Sequence, residues 1–216
     1  MFCHNQNAAE LKQPASPGPI KIKNNRENLM TDKVLTGKKI LIMVSNGVDE
    51  SSMSMVQREM LKTGAMLKTA GTEPGLVNSW NTNTWGLYFP VDQQISLTLG
   101  ADFDCLIVPS GTRGVQKLST NPHAERIIAS FITAGKPMAF LGSAVELLAK
   151  TNLAQGWTVS GPENMMDIMI AAGAKWDEEF TCIHNALMTG DCTDISAFLQ
   201  AMIAHFAGSP EMKAAA

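Results

Sequence analysis

The fold of this 216-residue chain is decided by the stretch GKPMAFLGSAVELL, residues 135–148. Its apolar run PMAFL is continuous rather than alternating, which is typical of a strand covered on both faces. The run breaks at LGSA, and the residues that follow have the apolar spacing of a helix. Many α/β enzymes carry a nucleophile at such a strand-to-helix turn, where this chain offers Gly142 and Ser143.

Strands and helices alternate on both sides of this stretch. KKILIMVSNG predicts a buried strand over residues 40–44, followed by a helix that Asp49 or Ser51 caps and that ends at Gly64. DFDCLIVPSGTRG predicts another buried strand over residues 104–108, whereas the Trp- and Asn-rich residues 75–95 predict short strands and turns. This alternation indicates an α/β fold, a three-layer α/β/α sandwich with a mostly parallel central sheet.

The chain divides into one domain and two terminal segments. Residues 1–36 are polar and contain Pro14, Pro17 and Pro19, which predicts a flexible N-terminal arm that could wrap a partner subunit. The domain is expected over residues 37–208, and residues 209–216 form a C-terminal tail.

Composition excludes several classes of function. The formal net charge is −3 and no basic stripe occurs, so we do not expect nucleic-acid binding. No apolar run reaches membrane-span length, and the N-terminus lacks an apolar signal core. The four cysteines have no CxxC spacing, and no His, Asp, Glu and Cys set has the spacing of metal ligands. We therefore expect a cytoplasmic protein with reduced thiols and without metal or cofactor.

Three strand ends are the candidate places for a site, because parallel strands place their carboxyl ends at one edge of the sheet. They are SNGVDESS (residues 45–52), VPSGTRG (residues 108–114) and FLGSA (residues 140–144). The PSGTRG loop could hold an anion with its backbone N–H groups and Arg113.

Three of these segments, in order, resemble the ThiJ/PfpI (class I glutamine amidotransferase-like) superfamily. DCLIVPSGTRGVQKL looks like its VVLPGG strand and turn, and KPMAFLGSAVELL is similar to its KPVAAICHGPxLL elbow. AAGAKWDEEFTCIHNALMTG is similar to its NAGAxWxDxxVVxDGNLITS segment. The resemblance covers about residues 35–206 and implies a flavodoxin-like fold.

In active members of that superfamily the elbow carries a cysteine, often followed by a histidine, and a glutamate ends the first strand. At those positions this chain has Gly142, Ser143 and, in the favoured register, Ser52, with Asp49 and Glu50 as alternatives for the glutamate. The turn that forms an oxyanion hole corresponds to Ser110 and Gly111. The resemblance thus implies a site whose nucleophile cysteine is replaced.

One branch of the superfamily accounts for these departures better than the proteases do. KKILIMVSNGVDESS and the glycine-containing elbow are similar to the C-terminal domain of large-subunit catalases, as is the closing helix in DISAFLQAMIAHF. The haem barrel of those catalases has no counterpart here. The resemblance implies a free-standing relative of an accessory domain.

Other side chains are weaker candidates for a nucleophile or base. Ser143 would need compact residues two positions away on either side, but Leu141 and Val145 are there, and every histidine is distant in sequence. Cys192 is expected to be exposed, with a pKa raised by neighbouring carboxylates, and His205 to face solvent. A hairpin turn is predicted near residues 184–185.

Three functions remain open from the sequence. The first is a non-catalytic superfamily member that acts through oligomerisation, stress protection or chaperone-like contacts. The second is a hydrolase or glyoxalase-type enzyme with Ser143 as an atypical nucleophile. The third is a protein that binds a small anion or carbonyl ligand at Ser110, Gly111 and Arg113. A homo-oligomer, dimer or larger, is expected in each case.

Overall fold

The computed structural model describes residues 33–208. The predicted tail and all but the last residues of the predicted arm lie outside this range. Leu35, inside the predicted arm, is fully buried, and its N–H donates to the Thr63 carbonyl over 3.1 Å. Packing of the described chain therefore begins before residue 37.

Strands and helices follow one another in the predicted alternation, with short 3-10 turns between some of them. The strands are β1 (Lys39–Val44), β2 (Val48–Asp49), β3 (Met66–Gly71), β4 (Gly75–Asn81), β5 (Thr84–Val91), β6 (Gln93–Gln94), β7 (Cys105–Val108), β8 (Met138–Leu141), β9 (Thr158–Val159), β10 (Lys175–Trp176), β11 (Thr181–His184) and β12 (Leu187–Gly190). The helices are α1 (Glu50–Lys62), α2 (Thr112–Ser119), α3 (Pro122–Ala134), α4 (Glu146–Lys150), α5 (Met166–Ala171) and α6 (Ile195–Ala207).

The central sheet has seven strands in the order β11-β12-β8-β7-β1-β3-β6. Every pairing in it is parallel except that of β11 with β12, which form the predicted hairpin around Asn185. The strands β1, β7 and β8 are neighbours, so the three candidate strand ends of the sequence lie side by side. The predicted mostly parallel sheet is confirmed.

Two apolar cores cover the two faces of this sheet, because successive residues of a strand point to opposite faces. On β1, Leu41 and Met43 belong to one core, which also contains residues of α2, α3, α4 and α5. Ile40 and Ile42 belong to the other core, together with α1 and α6. Burial on both faces explains why these strands are continuous apolar runs.

Helix boundaries agree with the local chemistry of the sequence. Gly64 has a φ of +75° just after α1, and Asp194 caps α6 by accepting a hydrogen bond from Ala197 N at 3.0 Å. After the elbow, SAVELLAKTNL (residues 143–153) predicts a longer helix than the structure has. A 3-10 turn (Gly142–Val145) comes first, and α4 ends before Asn152, whose φ is +58°. Among residues 33–208, no helix is both long and apolar enough to cross a bilayer.

Candidate functional site

The candidate site lies at the carboxyl ends of β1, β7 and β8, where the sequence predicted it. β8 ends at Leu141, and the chain turns at once through Gly142 into the 3-10 turn. Gly142 has a φ of +53°, in the left-handed region that glycine enters at no cost. The abrupt strand-to-helix turn of the elbow is therefore present, with glycine at its strained position.

The space beside Gly142 is filled by Ser110 from the neighbouring strand end. A Cβ built on Gly142 would lie 2.7 Å from Ser110 Oγ and 3.2 Å from Ser110 Cβ. A side chain at residue 142 would therefore have to displace the Ser110 hydroxyl. Glycine at the elbow and serine in the turn fit one another sterically.

Hydrogen bonds join the predicted site residues into one cluster, which we call the serine cluster (Ser52, Ser110 and Ser143). Ser110 Oγ and Ser143 Oγ are 3.2 Å apart and share a hydrogen bond. Ser143 Oγ also accepts the Gly111 N–H at 3.0 Å, and Ser52 Oγ accepts the Ser110 N–H at 3.1 Å. The structure thus brings together Ser52, Ser110, Gly111 and Ser143 around Gly142.

The two N–H groups of the predicted oxyanion turn already have acceptors within the protein. Ser110 N–H donates to the Ser52 hydroxyl, and Gly111 N–H donates to the Ser143 hydroxyl. An anion at this turn would have to displace both serine oxygens.

Arg113, the third predicted anion ligand, has its guanidinium carbon 3.8 Å from the centroid of the Trp80 ring. Such a contact between a guanidinium and an aromatic face is favourable. Within residues 33–208, Arg113 forms no salt bridge. It lies on the wall of the cavity next to the serine cluster.

A cavity of about 800 Å³ opens over the elbow. Its lining combines glycines, hydroxyls, amides, two carboxylates, an arginine and one indole ring. The lining residues are Gly47, Asp49, Trp80, Thr82, Ser110, Gly111, Thr112, Arg113, Gln116, Gly142, Ser143, Pro162, Asn164, Met165 and Asp191. No histidine, cysteine or glutamate is among these described lining residues. The two carboxylates belong to Asp49, which caps α1, and to Asp191, which accepts hydrogen bonds from Thr193.

Asp49 and Glu50, the alternatives for the family's glutamate, form their hydrogen bonds away from Ser143. Asp49 caps α1, with Oδ1 accepting the Ser52 N–H at 2.7 Å. Glu50 accepts hydrogen bonds from three residues of the β4–β5 hairpin, namely Leu87 N at 2.6 Å, Ser79 Oγ at 2.9 Å and Asn81 Nδ2 at 3.1 Å. These bonds, that of Leu87 foremost, lower the pKa of Glu50. Glu50 therefore fastens the hairpin to α1.

Replacing Glu50 by glutamine is expected to lower the melting temperature at pH 7. A carboxylate accepts the hairpin's hydrogen bonds with two oxygens, whereas an amide has only one oxygen that can accept. The folded-state pKa of Glu50 is lowered, so its contribution is present above the unfolded pKa of about 4.3 and is lost as pH falls through the folded pKa. Thermal melts at pH 7 and pH 3 measure the difference in melting temperature between the wild type and Glu50→Gln, which should be smaller at pH 3.

Glu59→Gln is the matched control, since Glu59 lies on the same helix and pairs with Lys62 and Arg58 at the surface. Surface pairs of this kind contribute little. Equal melting temperatures for Glu50→Gln and Glu59→Gln at pH 7 would contradict the fastening role.

Burial disfavours the thiolate form of the described cysteines. Burial is the largest cause that raises the pKa of Cys105, Cys182 and Cys192 to about 12 in each case. The expectation that Cys192 is exposed is wrong, because its side chain is half-buried and its thiol donates to the Gly190 carbonyl at 3.7 Å. Neighbouring Asp191 raises its pKa further, as the sequence suggested, but burial is the larger cause.

Two histidines lie at the opposite edge of the sheet from the elbow. β12 starts at Leu187 beside Met138, the first residue of β8, so the turn before it lies at the amino ends of the parallel strands. His205 Nε2 is 3.1 Å from the carbonyl oxygen of Ala186 in that turn, and His184 ends β11 there. The expectation that His205 faces solvent is wrong: its ring is half-buried, and burial lowers its pKa.

Several cavity residues were not predicted as site residues. Trp80 and Thr82 reach the cavity from the β4–β5 hairpin, whose sequence was interpreted only as strands and turns. Asn164 lies in a 3-10 turn after β9, and Asp191 directly follows β12. The density of Trp and Asn over residues 78–85 was the one signal that could have indicated a recognition surface. Within the described residues, no group of three or more His, Cys, Asp or Glu could hold a metal ion.

Comparison with known proteins agrees with this geometry. Residues 38–205 match the model of the DJ-1/PfpI family. DJ-1 protein homolog F of Arabidopsis thaliana is 32% identical over 103 residues, 47% of this chain and 26% of that relative, so the chain spans about a quarter of the relative's length. YraA of Bacillus subtilis, whose name makes it a candidate cysteine protease, is 24% identical over 162 residues, 74% of this chain and 94% of that relative.

Solved structures share the fold at low sequence identity. A two-domain protein of Anabaena variabilis with DJ-1/ThiJ/PfpI-like and ferritin-like domains superposes with a TM-score of 0.72 at 20% identity, over 77% of this chain and 47% of that one. Drosophila melanogaster DJ-1beta superposes with a TM-score of 0.71 at 17% identity, over 82% and 94% of the two chains. The flavodoxin-like α/β/α architecture is thereby established.

Proposed function

The chain belongs to the DJ-1/PfpI family, and we propose that it is a non-catalytic member that keeps the family's pocket as a binding site. The observation that carries this proposal is the packing at the elbow. Gly142 has no side chain to react, and the Ser110 hydroxyl fills the space into which one would project. We do not propose the protease activity that the name of YraA indicates, because the hydrogen side chain of Gly142 can neither attack a carbonyl nor hold a proton.

The alternative of a hydrolase or glyoxalase-type enzyme would rest on Ser143. A serine becomes nucleophilic when an adjacent base takes its proton. Ser143 Oγ instead accepts the Gly111 N–H and shares a hydrogen bond with another hydroxyl, that of Ser110. Neither partner is a base at neutral pH, so these contacts favour a positioning role for Ser143.

We expect the wild-type protein to hydrolyse neither generic esters nor peptides and to consume no methylglyoxal above the buffer rate. The matched variant is Ser143→Ala, which should have the same background rate. Initial rates at pH 7 to 9 measure this. Turnover in the wild type that disappears in Ser143→Ala would overturn the proposal and establish the serine enzyme instead.

Kinship with the C-terminal domain of large-subunit catalases is part of the same proposal. It rests on the glycine-containing elbow and on the segment that contains β1. We also propose a cytoplasmic setting, in which Cys105, Cys182 and Cys192 stay as the free thiols that the structure has. A stress-protective or chaperone-like role would be carried out there without chemistry at the elbow.

A homo-oligomer, dimer or larger, is also proposed, and its interface is the outer face of the β4–β5 hairpin. Val77 and Phe89 face each other in the register and are buried, so the alternate residues point outward. Leu76 opposite Pro90, and Tyr88 beyond it, are exposed on that outer face. An apolar surface of this kind on a two-fold axis would meet its own copy.

Light scattering of the full chain at micromolar concentration is expected to give the mass of a dimer or a larger assembly. Tyr88→Lys should shift the protein toward the monomer by placing a charge at the proposed interface. Val34→Lys, at an exposed apolar residue outside the hairpin, is the control and should not change the mass. A monomeric wild type would contradict the interface.

A further inference from the structure

The lining of the cavity carries no single sign of charge. Arg113 contributes one positive charge, whereas Asp49 and Asp191 contribute two carboxylates. An anionic ligand would meet both carboxylates, and a cationic ligand would meet the guanidinium. The lining therefore favours an uncharged ligand whose groups can pair with both donors and acceptors.

Polar groups that both donate and accept dominate the rest of the lining. Gln116 and Asn164 are exposed and contribute amides that offer an N–H and a carbonyl each. Thr82 and Thr112 contribute hydroxyls, which can take either role. Such a set matches a ligand that carries several hydroxyl groups.

One aromatic ring lies among these polar groups and is held from several directions. Trp80 packs against Trp85 edge-on, with ring centroids 5.2 Å apart and planes at 88°. Its indole N–H donates to the Thr82 carbonyl at 3.0 Å, and the guanidinium of Arg113 lies 3.8 Å from its ring centroid. The ring gives the cavity a fixed apolar surface, because aromatic side chains bury large apolar areas in defined geometry.

We propose that the cavity binds a neutral polyhydroxylated molecule, a sugar or a sugar alcohol. This inference rests on the proposed function of the cavity as a binding site. The ring and C–H face of a sugar would contact Trp80, and its hydroxyls would pair with the amides, the carboxylates and Arg113. The volume of about 800 Å³ lies in the range of about 300–1,000 Å³ that small-molecule sites occupy.

The occupied turn supports this choice over an anion. Both N–H groups that would hold an oxyanion, those of Ser110 and Gly111, donate to serine hydroxyls of the serine cluster. Those serine oxygens remain as acceptors at the floor of the cavity. A ligand hydroxyl can donate to such an oxygen, whereas a carboxylate or a fully ionised phosphate can only accept hydrogen bonds.

Isothermal titration calorimetry with neutral monosaccharides, inositol and mannitol tests the proposal, with malate, phosphate and spermidine as charged comparison ligands. We expect saturable binding of at least one neutral ligand in the millimolar range or tighter. Calorimetry is preferred over melting temperatures alone, because polyols stabilise folded proteins unspecifically at high concentration.

Trp80→Ala should weaken that binding about tenfold, since it removes the aromatic surface. Gln116→Ala, on the exposed side of α2, should weaken it about threefold and cannot affect the core. Trp85→Phe is the matched control, because it keeps an aromatic edge against Trp80 and lies outside the lining. Circular dichroism establishes that each variant is folded.

Two outcomes would overturn the inference. One is the absence of neutral-ligand binding to the folded wild type, and the other is binding that Trp80→Ala and Gln116→Ala leave unchanged. If only a charged ligand binds and Trp80→Ala abolishes it, the sugar proposal fails while the proposed binding function stands. The turnover assay decides the non-catalytic proposal independently of these titrations.

Discussion

Gly111→Ala is expected to lower the melting temperature by roughly 10 °C, corresponding to about 4 kcal/mol of stability. Gly111 has a φ of +137°, and a Cβ built on it would lie 2.5 Å from Asp49 N and 2.8 Å from Gly47 O. Both are backbone atoms, so no side-chain rotation relieves the contact. The turn after β7 and the segment around β2 would have to separate.

Gly135→Ala is the matched control for this prediction. Gly135 also has a positive φ, of +60°, but a Cβ there would meet nothing within 4 Å. Gly135→Ala should lower the stability only by the strain of a left-handed φ at a non-glycine residue, about 1–2 kcal/mol. Thermal and urea melts of both variants separate strain from steric contact. Equal losses of stability would contradict the close approach at Gly111.

The second large effect is expected from a pair of substitutions at the elbow, Gly142→Cys and Ser110→Gly. Gly142→Cys alone should destabilise the protein by about 1–3 kcal/mol, because its Cβ would lie 2.7 Å from Ser110 Oγ. Adding Ser110→Gly removes that oxygen and should recover the steric part of the loss, whereas the strain of the left-handed φ at residue 142 remains. A double-mutant cycle from urea unfolding measures the coupling, which we expect at about 1–2 kcal/mol.

Thiol chemistry gives the double variant a second readout. Its new cysteine would project toward the cavity, whereas the described native thiols have pKa values raised to about 12 by burial. Iodoacetamide at pH 7.5, followed by peptide mapping, should therefore label residue 142 ahead of these three thiols. If the stability changes of the two single substitutions simply add in the double variant, or if residue 142 stays unlabelled, the role of Ser110 as the group that fills the elbow is contradicted.

The fold was predictable because its signals are local and strong. The apolar runs that became β1, β7 and β8 are continuous since both faces of the sheet are covered. The same runs placed the segments that contain Ser52, Ser110 and Ser143 after adjacent strands. In the structure, hydrogen bonds join Ser110 to both Ser52 and Ser143. The length of the helix after the elbow was not predictable in this way, because the 3-10 turn there depends on tertiary packing.

The rest of the site could not be predicted because it depends on contacts between distant segments. Trp80 reaches the cavity because β4 pairs with β2, where Asp49 lies opposite Trp80, and because Glu50 on α1 accepts hydrogen bonds from the hairpin. The contact between Gly142 and Ser110 lies between the ends of two different strands, so no pattern in the sequence indicates it. Likewise, half-burial of His205 and Cys192 follows from how α6 and β12 pack.

The central claim, that the elbow has lost its nucleophile, is tested most directly by intact-mass spectrometry of the wild-type protein after incubation with a fluorophosphonate. We expect the unmodified mass, because Gly142 has no side chain and the Ser143 hydroxyl has hydrogen-bond partners but no base. Ser143→Ala, incubated in parallel, should give the same result. A stoichiometric adduct that maps to Ser143 or Ser110 in the wild type would contradict the claim.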